Sequence, residues 1–232
     1  MSRHNFLRLS EYILNLIFPQ KCIFCGTLFD IVPQIAICDD CRKELRFVDQ
    51  QKLLLHMRDL KPQYFDHVVV SCEYVDAMKE ALIRYKFHDK PFYFRALGRL
   101  LADTISGLGF DVITCVPLHK TREADRGYNQ SALIAKALGK KVGLPVDVGI
   151  LSRIKSTQSQ SLLNRSARVV NIKGAFIVAK PDRVLGRSIL LIDDILTTGL
   201  TLNECSRVLK EAGAKSITIA AVASGATVSS SN

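Results

Sequence analysis

Apolar residues recur along this chain in two rhythms. Short runs that are apolar at nearly every position appear as "DHVVVSCEYV" from Asp66, "DVITCVPLH" from Asp111, "SILLIDD" from Ser188 and "SITIAAVAS" from Ser216. Their β-branched density reads as strand. Elsewhere apolar positions come every third or fourth residue. "DAMKEALIRYKF" from Asp76, "FRALGRLLADTISGL" from Phe94, "NQSALIAKALGKKVG" from Asn129 and "TLNECSRVLKEAG" from Thr201 therefore read as helices. Asp76 and Asn129 have the side chains of helix N-caps, and Gly107, Gly109 and Gly143 are placed to end the second and third helices. Strands apolar on both faces, alternating with helices, predict an α/β fold: an open, mostly parallel sheet flanked by helices.

The first fifty residues follow neither rhythm for long. In "MSRHNFLRLSEYILNLIFP" the residues Leu9, Ile13, Leu16 and Ile17 keep helical spacing, interrupted by Arg8 and Glu11. This is shorter than a membrane span of ~20 apolar residues and lacks the small-residue cleavage site of a signal peptide. It reads as a helix packed on the body, or as an amphipathic contact with a membrane surface. Next come Cys22-x2-Cys25 and Cys38-x2-Cys41, two knuckles that supply four thiolates to a closed tetrahedral Zn2+ site. Disulfides of a secreted protein and an iron–sulfur cluster are the competing readings. A four-thiolate zinc has no open position, so its role is structural. Cys72, Cys115 and Cys205 stand in apolar surroundings and read as buried hydrophobes. The predicted domains are 1–50, a helix and double-knuckle zinc ribbon; 51–66, a polar connection; 67–226, the sheet domain; and 227–232, a frayed tail.

At 232 residues and 48% hydrophobic, the chain suffices for one α/β domain with a small appendage. Its formal charge of +10 favours a polyanionic partner such as nucleic acid, a phosphorylated small molecule or anionic lipid, or else makes a soluble basic surface.

The chemistry concentrates where "SILLIDD" ends. Asp193 and Asp194 stand at the carboxyl end of a strand, where open parallel sheets bind ligands. Thr197, Thr198, Gly199 and Thr201 then lead into a helix N-terminus. Successive amides, the helix dipole and hydroxyls together cradle a phosphate. Two carboxylates suit the hydroxyls of a sugar, or a site beside Mg2+. Phosphate at one end and a diol at the other describe a ribose 5-phosphate. No G-x-x-x-x-G-K-[ST] and no G-x-G-x-x-G after a first strand occur, so P-loop and dinucleotide sites are unsupported.

"ILLIDDILTTGLT" resembles the phosphoribosyl pyrophosphate (PRPP) motif of type I phosphoribosyltransferases. Three further features resemble the ComF/GntX-like group over almost the whole chain: the cysteine ribbon, "VPLHKTREADRGYNQS" from Val116 and "RIKSTQSQSLLNRSARVVNIKGAF" from Arg153, with "RYKFHDK" around Lys86 beside them. The resemblance implies a type I phosphoribosyltransferase-like fold that binds PRPP or another phosphorylated ribose. Asp193, Asp194, Ile195, Leu196, Thr197, Thr198, Gly199 and Thr201 would hold the sugar phosphate, with Asp193 and Asp194 catalytic. Leu118, His119, Lys120 and Arg122 would hold pyrophosphate, with Arg126 at their margin. Arg153 to Asn171, carrying Lys155, Arg165 and Arg168, would cover the site. His119 is a candidate base, and Tyr128 is either a wall of the acceptor site or core.

The implied cofactors are structural Zn2+ and Mg2+ bound with PRPP. The implied setting is natural transformation, in the cytoplasm at the inner face of the membrane, with single-stranded DNA and a competence helicase as partners. Three readings stay open. The first two are a phosphoribosyl transfer to an unspecified acceptor with release of pyrophosphate, and a non-catalytic, PRPP-regulated or vestigial-site module that binds DNA or a partner. A zinc-stapled scaffold is the third. In "YKFHDKPFYF", Tyr85, Phe87, Phe92, Tyr93 and Phe94 interleave with Lys86 and Lys90, which serves either base stacking or packing.

Overall fold

A computed structural model of the chain describes residues 21–29, 37–58, 60–87, 90–155 and 172–225. The N-terminal helix, most of the segment Arg153–Asn171 and the tail 227–232 lie outside them.

The apolar runs become the strands of one parallel sheet. β1 is His67–Glu73, β2 Val112–Cys115, β5 Ser188–Leu196 and β6 Ser216–Ser224, in the order β1-β6-β5-β2. Ile189 and Leu191 on β5 enter one core while Leu190 and Ile192 enter the other, so both faces of the strand are buried. Period-2 alternation thus disappears from the sequence, as it does for strands covered twice.

The helices α3 (Asp76–Phe87), α4 (Phe94–Thr104) and α6 (Gln130–Val142) cover one face. Their Leu82, Tyr85, Leu97, Leu101, Ile134 and Leu138 pack against Leu190 and Ile192. Asn129 caps α6 by accepting the Ala132 amide, and Gly143 ends it in the left-handed region, both as expected. Asp76, by contrast, is the first residue of α3, at φ 46, and pairs with Arg46 at 3.2 Å. α4 ends at Thr104, three residues before Gly107.

The other face is covered by α2 (Gln50–Met57), α7 (Leu200–Glu211) and an antiparallel pair, β3 (Leu151–Arg153) with β4 (Phe176–Val178). α2 overlaps the stretch 51–66 read as a polar connection, beginning one residue before it. Asp49 caps it, and its Leu53 and Met57 are buried beside Ile189, Leu191 and Leu209. One further helix, α5 (Lys120–Arg126), occupies what reads as a loop after Pro117. It buries no side chain, so it leaves no apolar rhythm to read.

Below the α3–α4 face sits the cysteine ribbon. A bridge between Lys21 and Leu28 closes the first knuckle, and α1 (Asp39–Glu44) begins inside the second, with Cys38 as its N-cap and Cys41 in its first turn. Ile23, Ile37 and Leu45 join the same core as α3 and α4. Arg42 also pairs with Asp103 of α4 at 2.8 Å.

Candidate functional site

β5 carries its apolar run to Ile192 and then places two acids near its carboxyl end, Asp193 half-buried and Asp194 buried. Asp193 lines a shallow, solvent-open cup with Ile195, Leu196 and the segment 197–202. The cup's floor depends on Gly199. Its φ is +73, and a Cβ there would lie 2.5 Å from Met57 Cε. Glycine meets both demands at once, and having no side chain it leaves the first turn of α7 uncapped by its own residue.

The two acids have different neighbours. Asp193 Oδ1 accepts from the Ser131 hydroxyl and from the Asp194 amide, both at 2.9 Å. Asp194 Oδ1 accepts from Lys86 Nζ at 2.8 Å, a pair whose side chains are only 11% and 20% exposed. Lys86 ends α3 and Ser131 opens α6, so one helix from the covered face brings a partner to each acid. Burial pushes the Asp193 carboxyl from its ordinary 3.8 up to about 7, and the charge of Asp194 adds to the rise. Lys86, the Asp194 amide and Ser131 oppose it.

That shift sets a pH dependence. The folded chain holds a proton that the unfolded chain has released between about pH 4 and pH 7, so stability falls as pH rises through that window. Asp193→Asn is expected to raise the melting temperature at pH 8 more than at pH 5. Equal shifts at both pH values, read by calorimetry, would show that the buried charge has no such cost.

The second strand end lies beside the first. After Cys115 the chain runs through Val116 and Pro117 to His119, which caps α5: its Nδ1 accepts from the Thr121 amide at 3.4 Å and lies 2.9 Å from Thr121 Oγ1. Lys120, Thr121 and Arg122 are therefore the first turn of a helix. The cap engages Nδ1, so a base at this position would act through Nε2. Asn129 donates to the Val116 carbonyl at 3.1 Å and ties the two ends of this segment together. Arg153, ending β3, lies over the Phe176 ring at 5.4 Å. Burial first, and then the charge of Arg122, makes its guanidinium easier to deprotonate, while Asp193 opposes them. Arg122, Arg153 and Asp193 thus share one electrostatic environment.

Tyr128 donates to the Tyr85 carbonyl, and its ring is 6.1 Å from that of Tyr85, so it packs with the core. Lys86 and Ser131 are not among the site residues expected from the sequence. Both fall inside the motifs "RYKFHDK" and "GYNQS", which is the signal the sequence offers for them.

At the ribbon, the sulfurs of Cys22, Cys25, Cys38 and Cys41 lie within 4.8 Å of one another, and Cys25 and Cys38 are 3.7 Å apart. Thiolates at 2.3 Å from a tetrahedral zinc stand about 3.8 Å apart, so the donor set fits. The amides of Cys38 and Cys41 donate to the Cys22 and Cys38 sulfurs at 3.5 Å, which steadies thiolate charge.

Comparison with known proteins gives two domain matches. A double zinc ribbon domain matches residues 13–52, and a phosphoribosyl transferase domain matches residues 124–228. Among curated proteins, the chain is 29% identical to Competence protein F of Haemophilus influenzae, over 87% of this chain and 96% of that one. It is 31% identical to DNA utilization protein YhgH of Escherichia coli K12, over 68% of this chain and 72% of that one. It is 30% identical to Competence protein ComFC of Bacillus subtilis, over 80% of this chain and 82% of that one.

Proposed function

The chain belongs to the ComF family of competence proteins, and from that premise we propose that it binds Mg2+–PRPP in the cup at the end of β5 and transfers its phosphoribosyl group in the handling of imported single-stranded DNA. One observation carries this reading: Asp193 and the glycine-led N-terminus of α7 line the same cup at the carboxyl end of a central strand.

A 5-phosphate fits the turn Thr197–Thr201, where amides and the helix dipole favour negative charge. The ribose diol fits the two acids. The first turn of α5, with Arg122, suits the pyrophosphate, since a guanidinium donates in pairs to phosphate oxygens. Transfer would break the bond between the anomeric carbon and pyrophosphate through an oxocarbenium-like transition state, and carboxylates beside the ring offset its positive charge. Mg2+ bound with the ligand supplies charge neutralisation on the leaving group.

A second reading rests on a different corner. Phe87 is 66% exposed and lies under the Arg126 guanidinium at 5.1 Å, and Phe92 is 52% exposed with Lys90 at 5.9 Å. Exposed rings flanked by cations suit stacked bases of a single strand. On this reading the cup regulates a DNA-binding module. Pyrophosphate release from PRPP, measured across a panel of bases with and without single-stranded oligonucleotide, separates the two. Release with one acceptor supports transfer. Silence across the panel, with oligonucleotide affinity falling steeply in salt, supports the module.

A further inference from the structure

Three consecutive residues at the end of α3 touch three different parts of the molecule. Arg84 Nη2 donates to the carbonyls of Ile23 and Phe24 at 3.1 and 3.4 Å, inside the first cysteine knuckle. Tyr85 is fully buried, and its hydroxyl donates to the Gln130 carbonyl at 2.8 Å. Gln130 precedes Ser131, whose hydroxyl holds Asp193. Lys86 holds Asp194 directly at 2.8 Å. One turn of helix therefore grips the ribbon on one side and, on the other, one acid directly and the second through α6.

The electrostatics of the cup give this arrangement a consequence. A pyrophosphate-bearing ligand carries several negative charges and must approach two carboxylates. The Lys86 ammonium, in contact with one of them, offsets that repulsion, and an ion pair this shielded from water is far less screened than a surface pair. Its position depends on where the last turn of α3 sits. That turn has few other anchors toward the ribbon: Arg84 also reaches Glu80 only at 3.8 Å, while its buried Nε makes no hydrogen bond among the described residues. The knuckle carbonyls are thus the main polar hold on Arg84. Those carbonyls are fixed in turn by the closed loop Cys22–Thr27, where the Cys22 amide donates to the Thr27 carbonyl at 2.9 Å and the Gly26 amide to the Cys22 carbonyl at 3.0 Å.

We propose that Lys86 is a working member of the sugar-phosphate site and that Arg84 is its positioning residue, so that metal occupancy of the four-cysteine centre sets the affinity of the cup for a pyrophosphate-bearing ligand. This rests on the PRPP reading of the cup. The ribbon becomes a regulator of the site as well as a staple: a knuckle that has lost its metal releases Arg84, the turn slackens, and Lys86 no longer offsets Asp194.

The test uses the full, zinc-loaded chain. Arg84→Met keeps the side-chain stem and removes the guanidinium, Arg84→Lys restores a cation, and Lys86→Met removes the ammonium. Zinc content, Mg2+–PRPP affinity by calorimetry, and hydrogen exchange in peptides covering 82–87 and 190–196 are read for each. Arg84→Met is expected to retain zinc, weaken PRPP binding by about tenfold and speed exchange in both peptides, with partial recovery in Arg84→Lys. Lys86→Met is expected to weaken binding as much, and the double variant little more, because both act on one contact. Chelation of the wild type should reproduce the exchange pattern at 82–87. Additive losses, or wild-type affinity and exchange in zinc-retaining Arg84→Met, would overturn the coupling. Failure of the wild type to bind PRPP would instead defeat the reading of the cup, and exchange alone would then decide whether ribbon and acids are linked.

Discussion

Joint replacement of Asp193 and Asp194 by alanine is expected to abolish the rise in melting temperature that Mg2+–PRPP gives the wild-type chain. A ligand present at a hundred times its dissociation constant stabilises the state that binds it by about 2.7 kcal/mol. For a chain of this size that corresponds to a rise of about 5–10 °C. The acids supply the diol contacts, so without them the threonine cup retains only the phosphate. Unliganded stability is expected to change much less, because two effects oppose each other. The variant removes a carboxyl whose burial and like-charged neighbour penalise it, and it leaves Lys86 largely buried without its Asp194 partner. Differential scanning fluorimetry with and without ligand measures both quantities. An unchanged midpoint in the wild type at saturating ligand would reject the sugar-phosphate reading, whatever the variant does.

Loss of the metal centre is expected to be the other large effect. Among the described residues few side chains of the ribbon reach the core, notably Ile23, Ile37 and Leu45, and they do so by leaning on α3 and α4. Free energies of structural zinc binding in small fingers are about 10–16 kcal/mol, comparable with the whole stability of a domain. Cys41→Ser, or removal of zinc by a chelator, should therefore open residues 21–45 to protease while the sheet stays protected. The four strands hold their own two-sided core and need no ribbon residue to pair. Limited proteolysis with mass analysis reads the outcome. Protection of 21–45 after metal loss would mean that packing, and not the thiolates, holds the ribbon.

Much of this architecture is legible from the chain because the signals are local. Each sheet strand is a continuous apolar run, and the two acids near the end of β5 interrupt such a run abruptly. Asn129 and Gly143 bracket α6 with the side chain and the backbone freedom that the two ends of a helix require. What is not legible is non-local or leaves no apolar rhythm. β3 and β4 are three residues each, and their partners lie more than twenty residues apart. α5 buries nothing, and α2 buries only Leu53 and Met57, so neither shows a full apolar stripe. The partners of the acids are the clearest case. Lys86 lies 108 residues from Asp194 and Ser131 lies 62 from Asp193, and no window of sequence spans either contact.

The strand order has an implication for synthesis on the ribosome. β1 pairs only with β6 within the sheet, so its ladder waits for residues 216–224. Until that last strand emerges, "HVVVSCE" in a nascent chain can bond to residues 46–50 on one side, while the edge that faces β6 stays unpaired and adhesive through elongation. Closure of the sheet by its final strand makes the assembly late and its contacts distant in sequence, the topology expected of a slow folder.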